Sequence, residues 1–439
     1  MFGERYNKVF RGAAAQAASR VIMMVLPLVT IPLTINYLGH ERFGMWMAIT
    51  SLSALLAVTE GGISNALITP VAQANAEGDL AAIRRLVATA LAISTLLAAA
   101  ICAGVLVGAE LIDWRSVLNL KSDLAAAEAA HVFQILGCSV ALSFIVGVGL
   151  KARRGLNQVA AVASWETAGA LLAVPALVAA TMLKLGTPWL AAALLFTPLL
   201  VNLAGLAIFL ACNPQFTPAA REFDRGLLHG IARSGAMFLT ASLASTALVG
   251  LDPMLIAKIG SPEDVSAFVV AQRLFTLPFV VANFWFYAQW PVLAEALQRR
   301  ETRWVSASFS TTLWLSVGVS TAVAAILVYN FDLVTRLWIG RALEPGGLLL
   351  WSMAAYSVLM VINGACNTLM YALEARREQT LIMAATVVCA LPLKIFLLHL
   401  FLPAGAVLAT VIIYALVQAV PFCIIIPRRL RARVALAAA

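Results

Sequence analysis

About a dozen stretches of this chain are apolar for roughly 18 residues or more. Short basic loops separate them, so nearly all of the 439 residues are assigned to membrane-spanning helices. A hydrocarbon core about 30 Å thick takes roughly 20 helical residues to cross. Hydrophobic residues make up 62% of the chain and charged residues 12%, and the mean hydropathy is +0.92. The expected fold class is therefore an all-α polytopic membrane protein.

Missing motifs narrow the field further. The sequence has no GxxxxGK[ST] phosphate loop, no HExxH, and no polar region long enough to fold as a nucleotide-binding domain. The expectation is a protein that is not an enzyme, hydrolyses no ATP and carries no cofactor. Its four histidines are scattered and its six cysteines include no CxxC pair, so no metal site is expected and the cysteines read as small packing residues. The net charge of +9 does not point to nucleic acid, because the basic residues sit at span ends rather than on one soluble face. They read as determinants of membrane orientation.

The periodicity predicts twelve spans, near 13–38, 43–72, 82–112, 130–150, 159–183, 189–211, 227–257, 264–296, 305–329, 346–372, 380–400 and 404–426. No small-residue cleavage site follows the first, which is read as a retained helix. In this arrangement nineteen lysines and arginines fall on the side of both termini and only seven on the other. The positive-inside rule then places both termini in the cytoplasm and the 113–129 loop outside.

The chain also reads as two copies of one six-span unit. "INYLGHERFG" around Gly39 corresponds to "IAKIGSPEDVS" around Gly260, and "PVAQANAEGD" at Pro70 to "PVLAEALQRR" at Pro291, at one common offset. The expected organisation is an N-terminal lobe over 1–212, a cytoplasmic linker over 213–226, and a C-terminal lobe over 227–439 that ends in a basic tail. Parallel repeats of this kind are a transporter plan with the substrate path between the halves.

Four charges fall within spans on corresponding hairpins. Arg20 and Glu60 lie at matching distances from the turn near His40, and Asp252 and Arg273 at similar distances from the turn near Ser261. Two readings stand. Either each acid and base neutralise each other and pin helix to helix, or the four line a central cavity where Arg20 and Arg273 meet anionic ligand groups and the acids couple to an ion. Arg233 either snorkels to the surface or faces the cavity mouth, and Glu166 is either interfacial or interior. Lys394, near the outer end of span 11, is expected to snorkel. Gly104 and Gly108 form a GxxxG that is expected to pack within the bundle. The run "FWFYAQW" at 284–290 is either an interface belt or a sugar-stacking surface, and Pro27 and Pro32 make span 1 the expected site of a bend.

The runs "PLVTIPLTINYLGHERFGMWMAITSL", "EGGISNAL" at Glu60, "ANAEGD" in the next loop and "RRGLNQ" at 153–158 resemble the polysaccharide and O-antigen flippases (Wzx type) of the MOP exporter superfamily. That superfamily also holds the MATE drug exporters and the lipid II flippases. The resemblance implies two six-helix lobes in a V and a cavity lined by helices 1, 2, 7 and 8, worked by alternating access. The implied cargo is a polyprenyl-pyrophosphate-linked oligosaccharide in a bacterial inner membrane, and the implied partners are the bilayer and a polysaccharide polymerase. Cavity arginines contacting the pyrophosphate would be Arg20 and Arg273, with Arg233 as a further candidate. Glu60 stands where many relatives have Asp. The two further helices common in lipid II flippases have no room here.

Two other functions compete with flipping. A MATE-type exporter of cationic drugs calls for a cavity dominated by acids, whereas the candidate residues here include at least as many arginines. A non-transporting scaffold gives no reason for charges at matched depth.

Overall fold

The computed structural model describes residues 18–19, 21–23, 25–51, 67–227, 250–343, 345–373 and 375–438. Among them the regular elements are helices and no strand occurs. Ten helices are long and apolar enough to cross a membrane, and they overlap ten of the twelve predicted spans. Of the other two, half of 43–72 and most of 227–257 fall outside the described residues. The chain divides into two compact units, Met1–Thr246 and Ala247–Ala439.

In the first unit, α1 (Val21–Ser51) is interrupted at Gly39, whose φ of 79° is a left-handed conformation that side chains resist. Tyr37 donates to the Leu185 carbonyl (2.9 Å) and Arg42 to the Thr187 hydroxyl (3.1 Å), so both flanks of Gly39 meet one loop, as at the tip of a hairpin. After the short α2 (Ile68–Glu77), Gly78 at φ 74° closes the helix. The Asp79 side chain then caps the first turn of α3 (Leu80–Leu111) by accepting from Ala82 N. A short α4 (Trp114–Leu118) and the 33-residue α5 (Asp123–Gly155), capped by Ser122, follow. Next come α6 (Val159–Met182) and α7 (Thr187–Cys212). At 1.5 Å per residue α3 and α5 are each about 50 Å long, more than the hydrocarbon requires, so their ends reach past it.

Small residues let these helices approach closely, as expected where helices pack without a hydrophobic drive between them. The choice of glycines differs from the sequence expectation. A side chain at Gly104 would meet open space, and Gly108 makes only ordinary contact with Phe133. The close approach of α3 and α5 is instead at Gly137, where a β-carbon would overlap Val105. GxxxG spacing alone does not say which face of a helix is covered.

The second unit contains α8 (Asp252–Ile259) and α9 (Pro262–Phe275), joined through Gly260 and a capping box in which Ser261 and Asp264 satisfy each other's backbone N–H groups. Its other elements are α10 (Leu277–Gln298), α11 (Thr302–Tyr329), α12 (Phe331–Ile339), α13 (Gly347–Ala372), α14 (Arg376–Phe401), α15 (Pro403–Ile413) and α16 (Val420–Ala438), with a π-helical turn at Tyr414–Ala419 between the last two. The nine-residue α12, read from sequence as loop, exposes 80% of Leu337 and buries Phe331 and Ile339. That is the pattern of a helix lying in the membrane interface. Polar rungs cross the apolar bundle, among them Ser320 to Ser357 (3.1 Å), Gln379 to Asn367 (2.8 Å) and Gln418 to Thr386 (3.1 Å). In the aromatic run, Phe286 is buried while Trp285 and Trp290 are exposed, and Trp290 rests on Tyr371 with centroids 5.3 Å apart.

Candidate functional site

Asp252 and Arg273, matched in depth by the sequence, do not pair. Asp252 takes Lys394 instead: Nζ lies 2.5 Å from Oδ1, and the side chains are 1% and 4% exposed for lysine and aspartate. The reason is depth. Asp252 precedes the end of its helix at Ile259 by the same seven residues that separate Lys394 from Phe401, about 10 Å in each case. Arg273 lies about four residues deeper than that level when counted from Pro262. The expectation that Lys394 snorkels is overturned, because a buried aspartate at the same height offers its ammonium a better partner than the surface does.

Asp252 also lines a small cleft with Gln272, Tyr356 and Thr410. Its accessible space of about 10 Å³ holds roughly one water. The rings of Tyr356 and Tyr414 stack beside each other with centroids 6.0 Å apart, and Tyr414 opens the π-helical turn. The missed signal was Lys394 itself: a lysine amid "LPLKIFLLHL" is costly in lipid unless a partner at its own depth exists.

Arg273, adjacent to Gln272 on α9, is half-buried, and its guanidinium forms no ion pair or hydrogen bond among the described residues. With Asp252 committed to Lys394, a membrane-embedded fork of five donors is left to other acceptors. Arg20, Glu60 and Arg233 lie outside the described residues. Glu166 is half-buried, and both its oxygens accept from Arg154 Nη2 at 2.7 and 2.8 Å.

Other charged contacts in the first unit tie helix ends together. Arg42 holds Glu128 through two hydrogen bonds (2.8 and 2.6 Å), and Glu128 also accepts from the Thr187 hydroxyl (2.5 Å). Arg153, only 5% exposed, donates to Gln158 and the Gly205 carbonyl and lies over the Phe209 ring. Among the described residues no cluster of three or more histidine, cysteine or acidic side chains could hold a metal ion.

An all-helical multi-pass membrane protein built of two compact units is the class this architecture defines. The profile of the polysaccharide biosynthesis protein family matches residues 9–297, and the chain belongs to that family. No curated protein matches it. Solved structures of other membrane proteins share the fold. An inward-facing multidrug resistance MATE transporter is similar with a TM-score of 0.73 at 16% identity, covering 96% of this chain and 98% of that one. The lipid II flippase MurJ, in an inward closed conformation, is similar with a TM-score of 0.72 at 14% identity, covering 93% of this chain and 86% of that one.

Proposed function

We propose that this protein flips a polyprenyl-pyrophosphate-linked oligosaccharide from the cytoplasmic to the periplasmic leaflet of a bacterial inner membrane by alternating access, with both termini cytoplasmic. The observation that carries the reading is Arg273, a half-buried guanidinium on a membrane-spanning helix with no carboxylate partner among the described residues. A planar fork of donors in a poorly hydrated place suits the oxygens of a pyrophosphate, which can accept two parallel hydrogen bonds at once. Membership of the polysaccharide biosynthesis family supports a glycan as the cargo's head, and the likeness of fold to a lipid II flippase supports a lipid-linked one. Arg20 and Arg233 are proposed to act with Arg273, and Glu60 to supply an ion-coupling carboxylate. A polysaccharide polymerase would take the product on the far side.

The MATE-like fold also suits export of cationic drugs, but that reading needs an uncompensated acid. Asp252, the buried carboxylate described here, is already neutralised by Lys394. Removing the gene should leave the lipid-linked oligosaccharide confined to the cytoplasmic leaflet while its synthesis continues. Surface polymer exported at the normal level from such cells would exclude the proposal.

A further inference from the structure

The segment that follows α7 folds back on the first unit. Two 3-10 turns, Pro214–Phe216 and Ala220–Glu222, carry it along the start of α3. Phe216 and Leu227 pack on the apolar cluster around Ile83 and Val87. Between these anchors Asp224 N donates to the Thr89 hydroxyl (3.0 Å), and Arg84 reaches Glu222 (2.7 Å). The held segment and α3 enclose an open pocket of about 380 Å³, lined on one side by Arg85 and on the other by Arg221 and Arg225.

The two acids that also line this pocket, Glu222 and Asp224, are already engaged. Glu222 accepts from Arg84 and from Ala219 N (3.0 Å), and Asp224 accepts from Gly226 N (2.7 Å). Arg85, Arg221 and Arg225 form no ion pair among the described residues. Three exposed arginines thus border one pocket in which they outnumber the carboxylates, Glu222 and Asp224. Phe223, 38% exposed, adds an apolar edge to the lining.

We propose that this pocket binds the phosphate of an anionic lipid headgroup. Guanidinium forks take phosphate oxygens two at a time, and basic pockets on the cytoplasmic side of membrane proteins hold anionic headgroups. The pocket lies on the side that the charge census assigns to the cytoplasm. A lipid held there braces the segment joining the two sequence repeats against α3.

The test uses the purified full-length protein in a neutral detergent. Phosphatidylglycerol, phosphatidylcholine and inorganic pyrophosphate are titrated separately and in competition, with bound lipid counted by native mass spectrometry. Wild type should retain phosphatidylglycerol over phosphatidylcholine, and R85Q/R221Q/R225Q should lose at least about tenfold in affinity. R303Q/R377Q/R431Q removes the same charge elsewhere on the same side and should bind as wild type does. Competition by pyrophosphate would assign recognition to the phosphate alone, whether lipid-borne or free. Its absence would assign recognition to the whole headgroup. Binding by the pocket variant at the wild-type level, or equal losses in both triple variants, would overturn the proposal.

Discussion

Lys394 and Asp252, 142 residues apart in sequence, form a buried ion pair with 2.5 Å between Nζ and Oδ1. The contact ties α14 to α8 within the second unit and sets the charge state of its membrane interior. Isolating either group there would cost far more than the paired arrangement. Because the lysine neutralises the aspartate, Arg273 keeps its guanidinium available.

The first prediction concerns this pair. K394M should destabilise the protein by about 3–5 kcal/mol because it strands a buried carboxylate, and D252N should cost a comparable amount. D252N/K394M should regain most of the loss, since a neutral pair leaves no uncompensated charge. Thermal unfolding of the three variants in detergent gives the coupling energy. Additive losses would mean that the two residues act independently.

Acid should loosen the segment after α7. The backbone N–H of Ala219 and the Arg84 guanidinium hold the Glu222 carboxyl below its ordinary value of 4.5, outside the membrane-spanning helices. A depressed folded-state value means the contribution is fully present above about 4.5 and is lost as pH falls through the folded value. The Tm difference between wild type and E222Q should therefore be constant near neutrality and shrink below about pH 4.5. Carboxylates common to both proteins cancel in the comparison. A difference unchanged down to about pH 3 would contradict the assignment.

Orientation can be checked at two exposed positions. Glu77 ends α2 and Lys121 precedes α5, on sides that the charge census calls cytoplasmic and external. Gly155 would be a poor probe, because a side chain there collides with Val71 and the Ile68 carbonyl. In a cysteine-free background, K121C should react with an impermeant thiol reagent added to intact spheroplasts, whereas E77C should react only in inverted vesicles. Labelling of both from one side would remove the topology.

Much of the fold was legible because lipid imposes a simple rule: an apolar run of sufficient length becomes a helix. The ten described spans obey it, and side-chain caps at Asp79, Ser122 and Ser261 start three of the helices. Partner choice was far less legible. A shared turn relates only neighbouring helices, so matched depth suggests Arg273 for Asp252, whereas its partner Lys394 sits on a helix distant in sequence. The same blindness placed helix packing at Gly104 and Gly108 rather than at Gly137, since spacing along one helix carries no record of its neighbour. The short interfacial helix at Phe331–Ile339 escaped notice because nine residues are too few to register as a span.

The most direct measurement is transport itself. Wild type, R273K and R273A would be reconstituted into liposomes carrying a fluorescent polyprenyl-pyrophosphate oligosaccharide, and translocation followed by quenching from outside. Because lysine keeps the charge but loses the bidentate fork, R273K should flip at least about tenfold more slowly than wild type at equal protein level, and R273A should be slower still. Should both variants flip the lipid at the wild-type rate, Arg273 does not bind the pyrophosphate and the proposed site is wrong.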